Sequence, residues 1–313
     1  MVKKCKKSKF ATNKNIRLRK TISIDLQLWK KTKSHGSMRQ QDVNLSERFE
    51  ILETLGVGTY SYVKHAFDTE KNIHVAIKTC IRSTAREMLR SEYNILKDLD
   101  HPNIIKVHEI IENEVKNETY MIMEYFEGKT ISKYAQENKD LSMEDSKLIV
   151  RQVLESLCEL HFANYAHRDI KPDNVLINGD KLIKVIDFNI SKATLRRKSE
   201  SDAPAKKFKS IFLTQISSPL YCAPELKLGS GYTESVDIWG AGIIMFTLLI
   251  GDMKSLNLKS VRDMTQKSEI IYDLVDRQTN LDDEWKEIMM SLLAQDPEKR
   301  PSSFECLSMP WLA

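Results

Sequence analysis

Residues 167–174 read His-Arg-Asp-Ile-Lys-Pro-Asp-Asn, and Asp187-Phe188 follows eighteen residues after Asp169, at the end of an apolar run. These types at this spacing meet three needs of phosphate chemistry. Asp169 can accept the proton of a hydroxyl. Asn174 and Asp187 offer the oxygen ligands that a hard divalent cation prefers. Lys171 can neutralise charge on a moving phosphate. An Asp followed by Asn is, taken alone, the mark of a turn. The company decides between the two readings. Upstream stand Gly56-Val57-Gly58-Thr59-Tyr60-Ser61-Tyr62-Val63 and Val75-Ala76-Ile77-Lys78. Downstream stand Ala223-Pro224-Glu225, Asp237-Ile238-Trp239-Gly240 and Asp296-Pro297-Glu298-Lys299-Arg300-Pro301.

The elements that must position these residues are legible in outline. From Arg48 to Met123 the pattern is strand-rich, with the glycine loop between two short strands and Val75–Lys78 on a third. A helix follows. Thr84 with Glu87 three residues on is a capping-box signature. Met88, Glu92, Ile95, Leu96 and Leu99 recur at helical spacing, which puts Glu92 and Leu96 on one side. His101-Pro102-Asn103 ends it. Two more strands are expected at about Lys106–Ile111 and Thr119–Met123, with Asn117 near their turn. Glu124–Gly128 reads as a short hinge. Beyond it the chain turns helical, and Leu148, Ile149, Val153, Leu154, Leu157, Cys158, Leu160 and His161 mark a long buried helix ahead of the His167–Asn174 segment. The glycines are followed by another strand pattern and not by a helix, which disfavours a dinucleotide-binding fold.

The totals narrow the class. At 313 residues the chain suffices for one large domain or two lobes. Its net charge of +4 hides an asymmetry. Residues 1–45 hold thirteen Lys and Arg against two Asp, so +11, which leaves −7 on the other 268 residues. The basic character belongs to an arm, residues 1–47, expected to be partly disordered. Within it Ile16–Leu28 alternates apolar and polar residues. That is either a strand that adds to a sheet edge or holds a partner, or an extended segment packed weakly on its own domain. Ser34–Gln41 reads as a linker. Lys-rich arms also bind polyanions without specificity. Cys5, Cys80, Cys158, Cys222 and Cys306 are odd in number and lack metal-ligand spacing, pointing to reduced thiols in the cytosol or nucleus. The longest apolar run, Ile238–Ile250, has 13 residues, too few to span a bilayer. No apolar stretch follows the charged N-terminus, so no signal peptide is expected.

With these motifs in place, the chain resembles the eukaryotic protein kinase family from about Phe49 to Leu312. The Lys two residues after His-Arg-Asp makes it similar to the serine/threonine type. Ser308-Met309-Pro310-Trp311-Leu312 resembles an ending common among calmodulin-dependent-like kinases. The resemblance implies a bilobal α+β fold: a β-rich N-lobe with one helix (48–122), a hinge (123–128) and an α-rich C-lobe (129–313). It implies ATP and Mg2+ as cofactors and protein Ser/Thr hydroxyls as acceptors. Asp169, Lys171 and Asn174 would be catalytic, and Asn174 and Asp187 would hold metal. Leu55, Gly56, Val57 and Gly58 would cover the nucleotide, with Ser61 in place of a third glycine. Val63, Ala76 and Leu176 would enclose the adenine. The backbone of Glu124 and Phe126 would bond the base, Met123 would be the gatekeeper and Glu127 would reach the ribose. Lys78 would bind phosphates and pair with Glu92, with Glu87 the alternative partner. His167 would be structural, stacked with Phe188, Leu96 and a residue near Val107. Glu225 with Arg300, and Asp237, would brace the fold.

Several positions depart from the family pattern. Asn189 replaces the glycine of Asp-Phe-Gly, so metal binding should survive while flipping of the segment is restricted. From Asp187 to Glu225 the segment runs 39 residues and carries the polar insert Arg196–Lys207. Thr214 stands at the family's activating phosphosite, with Ser199 a second candidate and Arg168 placed to meet a phosphate. Ser217 and Ser218 replace a Gly and a Thr. Thr130 sits where kinases that prefer basic substrates often carry an acid, whereas Asp173 matches another acidic position. Gly251–Ile271 departs from the family pattern altogether. With the sequence ending at Ala313, control is expected to come from the arm, the activation segment or a partner. An inactive scaffold and a polyanion-binding protein are the competing classes.

Overall fold

The computed structural model describes residues 38–40, 45–58, 61–80, 83–113, 116–138, 141–193, 220–228, 233–256 and 264–312. The strand expected at 16–28, the charged arm before Met38, and Ser199, Thr214, Ser217 and Ser218 lie outside the described residues.

A short strand β1 (Met38–Gln40) and a helical turn α1 (Leu45–Arg48) precede five longer strands. These are β2 (Phe49–Val57), β3 (Ser61–Asp68), β4 (Ile73–Cys80), β5 (Val107–Asn113) and β6 (Glu118–Glu124). The five pair antiparallel in the order β5-β6-β4-β3-β2. Asn72 and Asn117 take φ of 55° and 56° at the tight turns, a conformation Asn tolerates better than most residues. β1 pairs in parallel with β5, Met38 opposite Ile110. The linker expected over Ser34–Gln41 is therefore wrong at its end. An open strand edge offers unpaired backbone groups to any extended segment, whatever that segment's composition.

Register divides the side chains of this sheet. Lys78 lies opposite Val63 on β3 and opposite Met121 on β6, and Ala76 lies opposite Met123. Cross-strand partners share a face, as do residues two apart. Val63, Ala76, Lys78, Met121 and Met123 thus share one face, and Ala76, Met121 and Met123 join the large core that runs on into the helical half. Ala66, Val75, Ile77 and Ile122 alternate to the other face and form a separate small cluster with Phe49 and Tyr120. A buried charge network fastens this second face. Arg48 donates to Asp68 at 2.6 Å and 3.1 Å and to Glu109 at 2.7 Å. A paired carboxylate on each side is what lets the guanidinium stay buried.

Helix α2 (Ser83–Leu96) packs against the sheet with Glu92 and Leu96 both buried. It starts one residue before the expected cap, so Thr84 lies within it and the capping box at Thr84 does not form the boundary. After β6 the chain passes through a two-residue strand β7 (Lys129–Thr130) into α3 (Ile131–Glu137) and the 20-residue α4 (Met143–Phe162). The N-cap Ser142 accepts from the N–H of Asp145. Ile149, Val153, Leu154, Leu157 and Leu160 are buried as expected. Leu148 is not: it is exposed, on the stripe shared with Glu144 and Arg151. Seven apolar positions over this length cannot all fall on one face at 3.6 residues per turn.

Four further short strands frame the site: β8 (Tyr165–Ala166), β9 (Val175–Ile177), β10 (Ile183–Val185) and β11 (Lys192–Ala193). The remaining helices are α5 (Pro224–Leu228), α6 (Ser235–Leu249), α7 (Met264–Asp276), α8 (Asp283–Leu292) and α9 (Ser303–Leu307). α6 is apolar all round and buried from Val236 to Leu248, as a helix at the centre of a helical layer must be. No helix among the described residues is long and apolar enough to cross a membrane.

Candidate active site

Lys78 comes from the middle of β4 and Glu92 from the third turn of α2. The ammonium donates to Glu92 Oε1 at 2.9 Å and Oε2 at 2.7 Å, and to Asp187 Oδ1 at 2.8 Å. All three of its donors are thereby used. Glu87 is exposed on the helix and takes no part. Burial alone would push Lys78 down, but the carboxylates of Asp187 and Glu92 outweigh it and hold the ammonium charged. Glu92 is pushed up by its burial, which Lys78 only partly offsets. Burial also acts upward on Asp187, yet Lys78 carries it below the usual carboxylate value. One cation thus serves two carboxylates, and the deeper of the two is the one whose charge is costlier to keep.

Asp187 has φ of 67°, so its side chain turns back towards β4 while Phe188 enters the core. The N–H of Phe188 donates to Glu92 Oε1 at 3.1 Å. Its ring meets His167 edge-on, centroids 4.5 Å apart. Leu96 and Val107 pack in the same core as Phe188, and His167 joins them through its contact with the Phe188 ring. His167 Nε2 lies 3.0 Å from the carbonyl of Ile186, and its Nδ1 accepts the N–H of Asp169 at 3.3 Å. A nitrogen facing a carbonyl must carry the proton, and one that accepts an N–H cannot. His167 is therefore neutral, with hydrogen on Nε2, and burial lowers its pKa in keeping with that. It positions the loop and is not a base.

Asn189 is not among the residues with positive φ. The conformation seen here therefore makes no demand for glycine, and Asn189→Gly should leave nucleotide turnover within about twofold of the parent, there being no strain to relieve. The same variant should bind inhibitors of a flipped-out Asp-Phe-Asn segment more tightly. Equal inhibitor affinity in the two proteins would remove the restriction ascribed to Asn189.

The loop from Ala166 to Val175 closes in a 3-10 turn, Pro172–Asn174. Asp169 Oδ2 accepts from Lys171 Nζ at 2.7 Å and from Asn174 Nδ2 at 2.8 Å. Asn174 Nδ2 also donates to the Asp169 carbonyl at 2.9 Å. With its amide nitrogen spent on Asp169, Asn174 has its carbonyl oxygen left as a ligand. The Ile186 N–H bonds the Asn174 carbonyl at 3.0 Å and ties this loop to Asp187. Asp237, fully buried at the start of α6, accepts the N–H of His167 at 2.8 Å and that of Arg168 at 2.7 Å. His161 Nε2 reaches the same carboxylate at 2.9 Å. The backbone of α6 comes closer still. A Cβ on Gly240 would stand 2.5 Å from the carbonyl oxygen of Ile170, so only glycine allows the helix to support the loop there. Glu225 and Arg300 form the expected bidentate pair, at 2.6 Å and 2.9 Å.

The glycine hairpin is held by Gly58 N–H on Ser61 O at 2.7 Å. Leu55 and Val57 stay exposed on β2. Val63 is half-buried, and Ala76 and Met123 are buried beside it. Leu176 on β9 is half-buried, between Thr130 and Lys184 in register. The Glu124 N–H is taken by Lys106 O, whereas no backbone carbonyl among the described residues takes that of Phe126. Glu127 is exposed. One contact here was not foreseen: Lys184 Nζ donates to Glu124 Oε1 at 2.6 Å and anchors the hinge to β10. A Lys alternating with Ile183 and Val185 was its only sequence signal.

A protein-family model described as the protein kinase domain matches residues 49–312. The chain belongs to the protein kinase family. It is 30% identical over 297 residues to the serine/threonine-protein kinase cds1 of Schizosaccharomyces pombe, covering 89% of this chain and 61% of that one. It is 30% identical to the human serine/threonine-protein kinase DCLK3 over 281 residues, 86% of this chain and 41% of the relative. It is 32% identical to the calcium/calmodulin-dependent protein kinase cmkA of Emericella nidulans over 267 residues, 83% of this chain and 61% of the relative. The chain thus spans about 40–60% of the length of these relatives. The mixed α+β architecture is that of the family, which uses ATP and Mg2+ generally.

Proposed function

We propose that this kinase domain is a serine/threonine protein kinase that moves the γ-phosphate of ATP, with Mg2+, onto hydroxyls of protein substrates. One observation carries the reading. Lys78, Glu92 and Asp187 are joined in one ion-paired group, Asp169, Lys171 and Asn174 in another, and the Ile186–Asn174 bond links the two.

The donor set suits the cofactor. Among the described residues no group of three or more His, Cys, Asp or Glu side chains forms a metal cage. Mg2+ does not need one, since it is held by one or two protein oxygens together with phosphates and water. Asp187 and the side-chain oxygen of Asn174 supply such oxygens. When bound, the ion neutralises charge on the phosphates as it moves to the leaving group. Lys78 supports the α- and β-phosphates from the sheet, and Glu92 keeps it aimed. The carboxylate of Asp169 orients the acceptor hydroxyl and takes its proton. Lys171, beside that carboxylate, faces the charge that passes across. Exposed Leu55 and Val57, with Val63, Ala76 and Leu176, enclose the base, and the Phe126 N–H and Glu124 carbonyl bond its edge. Position does most of the work in a loose transition state, so the hydrogen bonds that fix Asp169 matter more than its basicity. Phosphorylation of the activation segment at Thr214, with Ser199 as a second site, is the proposed control.

A peptide array with radiolabelled ATP tests this directly. The parent should label Ser and Thr peptides, and Asp169→Asn should lower the rate by about 10²–10⁴. Equal labelling by both proteins would remove the assignment of Asp169. No labelling by either would favour an inactive scaffold. Full activity of Thr214→Ala would remove the proposed control.

A further inference from the structure

Beyond the phosphate site lies a second ion-paired cluster, four residues past Asp169. Asp173 is on the same 3-10 turn as Asn174. Lys254, from the segment after α6 that departs from the family pattern, donates to both its oxygens, at 2.9 Å and 2.7 Å. Lys254 is not there by chance of a flexible side chain. Gly251, with φ of 135°, turns the chain at the end of α6 and delivers Asp252 into the interior, where it is 3% exposed. Asp252 accepts the Lys254 N–H at 2.7 Å and the Tyr221 hydroxyl at 3.0 Å, and it also accepts from the Ser132 hydroxyl at the start of α3. The Lys254 ammonium stands 5.5 Å from the centre of the Tyr221 ring. Backbone, ring and carboxylate thus fix one geometry for this lysine.

An acceptor polypeptide must present its hydroxyl to Asp169. In extended form it rises about 3.3 Å per residue, so side chains within two or three residues of the acceptor pass over this turn. Both acids of the cluster are already engaged, Asp173 by Lys254 and Asp252 by three donors. We propose that Lys254 determines acceptor specificity by holding the Asp173 carboxylate, so that basic side chains beside the acceptor are refused and neutral or acidic ones are admitted. A like charge facing Lys254 is repelled, and a basic residue gains no free carboxylate in exchange. This rests on the kinase reading above and deepens it to a substrate class.

The test uses the full chain and a peptide set differing only by Arg, Ala or Glu at single positions around one acceptor Ser. The readout is the ratio of kcat/KM for Arg against Ala, which is independent of any general loss of activity. The parent should give ratios at or below one at the positions that pass over this turn. Lys254→Ala and Lys254→Gln should raise the ratio about three- to fivefold at one position, mainly through KM, an effect of the size of one partly exposed ion pair. Adding Asp173→Asn should abolish the gain, and Lys254→Arg should keep the parent's ratios. Parental ratios in both neutral Lys254 variants would overturn the proposal. Should those variants fail to fold, Asp173→Asn alone decides: it leaves the Lys254 ammonium without its counter-charge, so the proposal expects the Arg-to-Ala ratio to fall at that position, and an unchanged or higher ratio would refute it. Absence of transfer by the parent to any peptide, with ADP release no faster than in Asp169→Asn, would instead remove the kinase reading on which the proposal stands.

Discussion

Lys78→Met should lower kcat/KM for phosphate transfer by about 10²–10³ and destabilise the domain by about 3–5 kcal/mol. The two losses have one origin. The methionine fills the space of the lysine stem but leaves Glu92, with its side chain 2% exposed, as a buried carboxylate without a cation. Breaking a buried pair by removing one partner costs more than the pair contributed, since the remaining charge keeps its desolvation penalty. The deficit should depend on pH in a definite direction. Glu92 is already raised by burial in the parent, and loss of Lys78 raises it further. A folded-state pKa above the unfolded one means that the native state binds the extra proton, so stability is fullest at low pH and falls as pH rises through the shifted value. The gap between parent and variant should therefore be smaller at pH 5.5 than at pH 8 in urea unfolding. A gap that is constant, or widest at pH 5.5, would show that Glu92 is not the group left unpaired. Glu92→Gln combined with Lys78→Met should recover stability without recovering transfer.

The parts of this site legible in the sequence are those whose partners lie in the same motif or on an element with a clear period. Lys78 sits two residues from Ala76 on a strand, and Glu92 repeats with Leu96 on a helix, so their meeting follows once the helix packs on the sheet. Asp169, Lys171 and Asn174 share one loop. What the sequence did not disclose are charge pairs decided by docking. Arg48 with Asp68 and Glu109, Lys184 with Glu124, and Lys254 with Asp173 are separated by 20, 61, 60 and 81 residues. No periodicity reports which of two exposed-looking charges will be turned inward. Leu148 shows the converse error, since an apolar residue counted into a helical pattern was one more than its buried face could hold. β1 shows a third kind, where the free edge of a sheet, and not the composition of the segment, made the strand.

Asp237 carries the second large effect, and here the nature of the acceptor matters more than its charge. Its two oxygens accept from His167 N–H, Arg168 N–H and His161 Nε2. Arg168 sits at φ of 72°, a conformation costing on the order of 1 kcal/mol or more for a non-glycine residue, and the bond to Asp237 helps to keep it there. Asp237→Ala removes all three bonds at once, leaving buried donors unsatisfied at about 1–3 kcal/mol each. A total loss of about 3–5 kcal/mol is expected, because the loop relaxes in part. Asp237→Asn has the same shape, but an amide has one oxygen. Whichever way it turns, an NH2 group faces a donor, either the Arg168 N–H or the pair at His167 and His161. The Asn variant should therefore lie nearer to Ala than to the parent in stability, and both should lose transfer because Asp169 follows His167 and Arg168 on the loop. Burial acts upward on the Asp237 pKa, but the His161 bond, then the neighbouring imidazoles and the Arg168 N–H, bring it below the usual value of 3.8. A depressed carboxylate stabilises above its unfolded pKa and loses that contribution as pH falls through its folded value. The parent's advantage over Asp237→Asn should thus be full at pH 6 and should shrink below about pH 4, by calorimetry across that range. An advantage unchanged down to pH 3, or an Asn variant as stable as the parent, would mean that α6 supports the loop through Gly240 and Ile170 without needing the carboxylate.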